Sequence, residues 1–185
     1  MNRLPVLSTE EARRRGKEIG IPSSLTRLNA FRVLLHNTAV TGPLAQFLVA
    51  LLAQGTIDSR TRELVILRTG WRTASEYEFC QHVAIARQLG MKDDEILGVR
   101  EPEAFPAYAA RDRAVIRMAD ELLDHSGLSD ETWSALRGFF DDAGLVELFL
   151  IAGNWRMVAG FLNSAGVPLD DGVESWPEGR RPPRP

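Results

Sequence analysis

The sequence predicts an all-α fold in a single domain. Three observations carry this: apolar residues return at three- and four-residue intervals in one segment after another, capping residues and Gly or Pro bound the segments, and no alternating strand pattern runs longer than a few residues. There is no Asn-Gly hairpin turn and no convincing repeat with a period of about 20 to 50 residues.

Ser8-Thr9-Glu10-Glu11 has capping-box spacing and precedes Arg13-Arg14-Arg15 and Gly16, which reads as a short polar helix within an N-terminal polar extension, residues 1-22. After Pro22-Ser23, the residues Leu25, Leu28, Phe31, Val33, Leu34 and Leu35 recur at helical spacing as far as His36 and Asn37, giving a first core helix. Thr41-Gly42-Pro43 opens another apolar segment through Ala53, and Gln54-Gly55 closes it. The next helix starts near Asp58 or Ser59, carries Leu64, Val65, Ile66, Leu67 and Trp71, and is apolar on most sides. Thr73-Ala74-Ser75-Glu76 and Ser75-Glu76-Tyr77-Glu78 both have capping-box spacing, so a helix should begin here and run to Leu89, before Gly90. Lys92 to Gly98 is a short helical turn, and Pro102 and Pro106 mark a loop. Ala114, Val115, Met118, Ala119, Leu122 and Leu123 define one more helix, and Ser129 caps another through Phe140. The last helix, about Ala143 to Ser164, is the most apolar, and Pro168 follows it. The expected division is the extension, one helical domain over 23-170, and a Pro/Arg-rich tail over 171-185 that from Pro177 onward has too little apolar content to fold alone.

At about 100 to 200 residues per domain, 185 residues fit one domain. Hydrophobic residues make up 44% and charged residues 25%, which excludes wholesale disorder, a collagen-like chain and a disulfide scaffold. With 22 basic against 25 acidic residues the net charge is -3, so nucleic acid is not an expected partner. The longest unbroken apolar run, Phe47 to Ala53, is far below the roughly 20 residues of a membrane-spanning helix. Glu10 and Glu11 follow only a short apolar stretch, Leu4 to Leu7, so neither a signal peptide nor a transit peptide fits, and a cytoplasmic location is expected. One cysteine, Cys80, agrees with a reducing compartment and leaves no two-cysteine redox cycle within one chain.

On a helix starting near Ser75, a rotation of about 100° per residue gathers Ser75, Glu78, Phe79, His82, Ala86 and Leu89 on one face. An ionised carboxylate on such an apolar face is costly unless paired, and Glu78 stands four residues before His82. A carboxylate beside an imidazole can orient the ring and share a proton with it, which suits acid-base chemistry near neutral pH. The alternatives are an exposed ion pair one turn apart, or a capping box in which Glu78 serves Ser75. Glu63 is a second acid on an apolar helix, in line with Ile66, Leu67 and Gly70. Arg60, Arg62, Arg68 and Arg72 surround it in sequence and could neutralise it or anchor a substrate carboxylate, whereas a Glu near a helix start is also simply favoured by the macrodipole. Glu147 and Asn154 share a stripe of the last helix, where hydrogen bonds across helices are the simpler reading. His36 and His125 sit at helix ends. Glu63, Glu78 and His82 are metal-ligand types, but the second Glu-x-x-His of di-iron bundles is missing, and no metal is expected. There is no Gly-rich phosphate loop, Gly-x-Ser-x-Gly elbow or His-Glu-x-x-His.

Arg62-Glu63-Leu64-Val65-Ile66-Leu67, then Ser75-Glu76-Tyr77-Glu78-Phe79-Cys80-Gln81-His82-Val83, then Ala86 and Gly90, resemble the signature of the carboxymuconolactone decarboxylase-like superfamily, which also contains the AhpD-like alkylhydroperoxidases. The resemblance covers about Leu25 to Gly98 and, more loosely, Arg113 to Leu169. The peroxidase motif Glu-x11-Cys-x2-Cys-x3-His falls on Glu63, Ser75, Glu78 and His82, so both cysteines are missing, and Cys80 points about 140° off the face of Ser75. Thr61-Arg62 and Glu78-x3-His82 match the decarboxylase branch, to which Glu63 is foreign. The resemblance implies an AhpD-like helical bundle assembled as a homotrimer or homohexamer. It further implies a cofactor-free lyase or isomerase acting on a small carboxylated or lactone-like metabolite. His82, Glu78 and Glu63 would be catalytic, with His82 moving the proton and Glu78 setting its ionisation and orientation, and Arg62, Arg72, Ser75 and Tyr77 would bind substrate. An AhpD-like antioxidant and a non-catalytic oligomeric binding protein are the rival expectations.

Overall fold

The computed structural model describes residues 2–182, so the first residue of the N-terminal extension and the last three of the tail lie outside the described residues. It is all-α, with no strand among the described residues. The helices are α1 (Thr9–Glu18), α2 (Asn29–Leu34), α3 (Thr38–Ala53), α4 (Ser59–Arg72), α5 (Glu76–Gln88), α6 (Asp93–Gly98), α7 (Ala110–His125), α8 (Asp130–Arg137) and α9 (Asp142–Ala165). Caps legible in the sequence form: Ser8, Asp58 and Ser129 each accept the backbone N–H three residues on, and Asp141 does the same for α9.

Three boundaries differ from the sequence reading, one of them the end of α8 at Arg137, three residues before the expected Phe140. The expected core helix over 25–35 breaks at Leu28, which is extended, into a 3-10 turn (Leu25–Arg27) and α2. The N–H of Asn29 is capped by Asp170 Oδ1 at 2.6 Å, and the Asn29 amide donates to the Pro168 and Leu169 carbonyls. A long-range cap therefore overrides the local periodicity. α3 begins at Thr38, before the expected Thr41, and admits Pro43 near its start at the loss of one backbone bond.

α4 is the central helix. Every residue from Thr61 to Trp71 is buried, with α7 on one side and α5 and α9 on others. Arginines on α4 meet acids on α7 at a constant offset of 52 residues: Arg60 with Asp112, Arg68 with Asp120, and Arg72 with Asp124, at 2.7 to 2.9 Å. The two helices thus run parallel in fixed register. Arg68 also donates to the carbonyls of Val99 and Arg100, and Arg72 to Asp120. α9 is parallel to α4 as well. Near its start the Glu147 carboxylate accepts from the N–H groups of Thr56 and Ile57, and near its end Asn163 donates to the Thr73 carbonyl. By length and composition α9 could cross a membrane, but half of its most apolar window is buried, with Leu148, Ile151, Trp155 and Ala159 in the core. It packs as a core helix.

α5 crosses back over α4 at close range. A Cβ at Gly70 would lie 3.1 Å from the Phe79 backbone nitrogen, so glycine lets the two backbones approach this far without a shift of either. The outer side of α5 is closed by the segment that includes Asp170 and Trp176. Asp170 accepts from Tyr77 and Gln81, and Trp176 packs on Phe79 and Trp71 at 5.5 and 5.9 Å between ring centroids. At the other end, Ala12 and Ile21 join Phe31, Leu35 and Ala45 in a smaller cluster.

Breaking one member of a buried ion pair strands the other charge, whereas an exposed pair contributes little. Asp120→Asn, which deprives the buried Arg68, should therefore lower unfolding free energy by about 3 kcal/mol, while Asp124→Asn, on the half-exposed rung, should cost less than about 1 kcal/mol. Urea denaturation of both variants checks this, and equal losses would contradict it.

Candidate functional site

The turn from α4 into α5 sets the site. α4 ends in a Schellman arrangement: the Ser75 N–H reaches the Gly70 carbonyl at 2.9 Å and the Ala74 N–H reaches that of Trp71 at 3.1 Å, with Ala74 at φ 50°. Glycine is the usual residue there, and an alanine in this region costs about 1 kcal/mol. Thr73 Oγ1 bonds back to the Thr69 carbonyl, and Ser75, the N-cap of α5, makes no side-chain cap. Neither capping box expected over 73–78 forms. The Ser75 hydroxyl and the Glu78 carboxyl stay buried without hydrogen-bond partners.

At the centre, His82 Nδ1 of α5 lies 2.6 Å from Glu63 Oε2 of α4, and the Trp155 indole N–H of α9 donates to His82 Nε2 at 3.1 Å. The two rings are nearly perpendicular, at 82°. The carboxylate that holds His82 is therefore Glu63 and not Glu78, the partner its spacing suggested. Glu78 is wholly buried, and that burial holds its carboxyl well above the usual carboxylate range, which favours the protonated acid. The same elements carry other buried polar atoms without partners: Glu63 Oε1, Arg62 Nε and both amide atoms of Asn154. Arg62 Nε stands 3.8 Å from Glu63 Oε1, beyond hydrogen-bonding distance. Buried polar groups are nearly always satisfied, and these exceptions all lie on α4, on α5 and its N-cap, or on α9, the three helices that meet at His82.

Other sequence candidates lie elsewhere. Arg72 is held by Asp120 and Asp124, while Arg60 and Arg68 are turned to α7 and the α6 region. Of the four arginines, only Arg62 stands beside Glu63. Tyr77 donates to Asp170 at 2.7 Å and accepts from the Ala30 N–H, so its hydroxyl is used in packing α5. Glu147 braces the loop before α4, and His36 bonds the Pro5 carbonyl. Cys80 is buried on the Trp176 side, and burial pushes its thiol up to about 11. Trp155 was not visible as a site residue in the sequence; an indole on an apolar helix reads as core, and only the need of a buried N–H for an acceptor hints otherwise.

Residues 40–121 match the carboxymuconolactone decarboxylase family. Comparison with curated proteins gives no match. Among solved structures, an uncharacterized peroxidase-related protein with an alkylhydroperoxidase AhpD core from Ralstonia eutropha JMP134 superimposes with a TM-score of 0.75 at 21% identity, covering 92% of this chain and 93% of its own. A protein from Agrobacterium tumefaciens, named for AhpD antioxidant defence, gives 0.69 at 18% identity over 75% and 94% of the two chains. The debrominase Bmp8 gives 0.67 at 13% identity over 88% and 86%. At these identities the likeness is one of fold.

The Glu78 environment has a consequence for stability. In the unfolded chain this carboxyl titrates at its ordinary 4.5, and in the folded protein its value is raised. The stability it supplies is full below about 4.5 and is lost as pH rises toward and through the folded-state value. Glu78→Gln cannot ionise, so its stability relative to wild type should climb with pH above that point. Thermal unfolding of both proteins across acid to mildly alkaline pH reads the difference, and parallel curves would show an ordinary carboxylate.

Proposed function

We propose, from the match of residues 40–121 to the carboxymuconolactone decarboxylase family, that the chain is a cofactor-free lyase or isomerase of that superfamily. It would move a proton on a small carboxylated or lactone-like metabolite in the cytoplasm. The observation that carries this reading is the buried His82–Glu63 contact of 2.6 Å among polar atoms that have no partner.

In this reading His82 takes a proton from an acidic carbon of the substrate. Glu63 fixes the ring and balances the imidazolium charge as it develops. The electron pair left behind delocalises onto the neighbouring carbonyl oxygen, where neutral Glu78 and the Ser75 hydroxyl can donate hydrogen bonds. His82 then returns its proton to a different carbon, which is an isomerisation. If carbon dioxide leaves instead, the carbanion takes its proton from the neutral Glu78 carboxyl, which regains one from water, and this is a lyase reaction. Arg62 is the guanidinium free to meet a substrate carboxylate. Arg72 and Tyr77, counted among the binding residues from the sequence, have their polar groups committed to other partners and drop out. His82 and Arg62 keep the largest exposed share of the cluster, 9% and 8%, so a ligand meets them first.

The peroxidase-related neighbours favour a second reading, an AhpD-like antioxidant. That chemistry needs an attacking thiolate and a resolving thiol, and this sequence has one cysteine, buried and with a raised thiol. A non-catalytic binding protein would also keep a buried polar cluster, but one satisfied internally. Assembly as a homotrimer or homohexamer belongs to the proposal. It is supported by a row on α9 at alternating intervals of four and three residues, in which Val146, Leu150 and Met157 are 58%, 45% and 54% exposed and Gly153 and Gly160 face open space.

Incubation with small enolisable acids and lactones in heavy water, followed by proton NMR, should show deuterium entering the acidic carbon. His82→Gln should slow that exchange by about 10²- to 10⁴-fold, while Cys80→Ser stays within a few-fold. Peroxide consumption abolished by Cys80→Ser would instead favour the antioxidant. Sedimentation velocity should give a species of three or six chains that Leu150→Glu disperses, and a monomeric wild type would remove the assembly claim.

A further inference from the structure

The hydrogen bonds around His82 fix more than its position. An indole N–H can only donate, so the nitrogen it contacts, His82 Nε2, must offer a lone pair. A charged imidazole, which carries protons on both nitrogens, would set N–H against N–H at 3.1 Å. The ring is then neutral, its single proton sits on Nδ1, and that proton is donated to Glu63 Oε2. The chain from Glu63 through His82 to Trp155 spans α4, α5 and α9 and has one consistent direction of donation. Other charged groups of these elements leave that assignment undisturbed. Arg62 stands on the far oxygen of Glu63, Glu78 makes no hydrogen bond, and Glu147 and Arg156 of α9 bond the loop before α4 and the Leu122 carbonyl.

We propose that Trp155 is a positioning residue for His82: its indole holds the ring as the Nδ1–H tautomer and occupies the Nε2 lone pair until a substrate donor replaces it. This rests on the reading of His82 as the group that moves the proton. It specifies that transfer runs through Nε2, that Glu63 stays on Nδ1 throughout, and that the resting base is masked and not open to solvent. A substrate must therefore enter between α5 and α9, in the place of the indole N–H. The departing indole N–H becomes a free donor at the point where negative charge develops on the substrate, so the residue that masks the base at rest can bind the product of its action.

The sequence has three histidines, so ring nitrogens are readily assigned by long-range proton-nitrogen correlation, with His82→Gln identifying the His82 set. At mildly alkaline pH wild-type His82 should show a protonated Nδ1, an unprotonated Nε2, and a nitrogen-nitrogen coupling across the bond to the Trp155 indole. Trp155→Phe keeps an aromatic ring but removes the N–H. It should abolish the coupling and move the Nε2 resonance to that of an unbonded lone pair while Nδ1 stays protonated. Acylation of His82 by diethyl pyrocarbonate, which needs a free imidazole lone pair, should rise several-fold in the same variant. A wild-type spectrum with the proton on Nε2 would overturn the proposal even if Trp155→Phe failed to fold, and so would an Nε2 resonance unmoved by that substitution. The spectra do not depend on turnover, so a fully active His82→Gln would sink the proton-transfer reading separately.

Discussion

Burying a helix that carries four arginines and a glutamate constrains everything around it. From Thr61 to Trp71, α4 has no solvent face, so Arg62, Glu63 and Arg68 have to be met by another element or neutralised, while Arg60 and Arg72 at its ends stay partly exposed. The arginines at 60, 68 and 72 select α7, whose acids at 112, 120 and 124 repeat the same uneven spacing of eight and four. A slip of one turn in either direction keeps at most one of the three rungs, so the ladder fixes register as well as attraction. With that side committed, Glu63 lies off the ladder and is left to α5, where His82 answers it. The dyad is in this sense a by-product of how α4 is buried.

How much of this was legible in the sequence follows from which interactions are local. Caps at Ser8, Asp58 and Ser129 sit beside the N–H groups they serve, and the periodic helices fall close to where their apolar residues put them. The break at Leu28 was hidden because its cause, Asp170, lies more than a hundred residues away. Ser75 and Glu78 showed a local capping pattern, but the Schellman turn at Gly70 to Ser75 took precedence. Glu63, Glu78 and His82 stood out as polar residues on apolar faces. Which acid meets the imidazole depends on the crossing of α4 and α5, and that crossing is set by the glycine at position 70, which carries no such label in sequence. Four arginines that look alike in the chain separate only once α7 claims three of them.

The site also departs from the rules the rest of the chain obeys. Ala74 adopts a backbone better suited to glycine, Glu78 is a carboxyl with nothing to bond, and Asn154 buries an amide with both ends free. Each departure costs stability, and all three fall on the α4–α5 turn, on α5 or on α9. The Arg68 guanidinium, by contrast, meets four acceptor atoms.

The segment that closes the outer side of α5 has a bearing on biosynthesis. Asp170 caps α2 and gathers Tyr77 and Gln81, and Trp176 completes the aromatic stack with Trp71 and Phe79. On the ribosome, a nascent chain that has not yet released residue 176 can form the helices one by one but leaves this stack open and α2 uncapped. The aromatic stack over α5 thus closes late, after translation has passed α9, and until then Trp71 and Phe79 lack the ring that covers them.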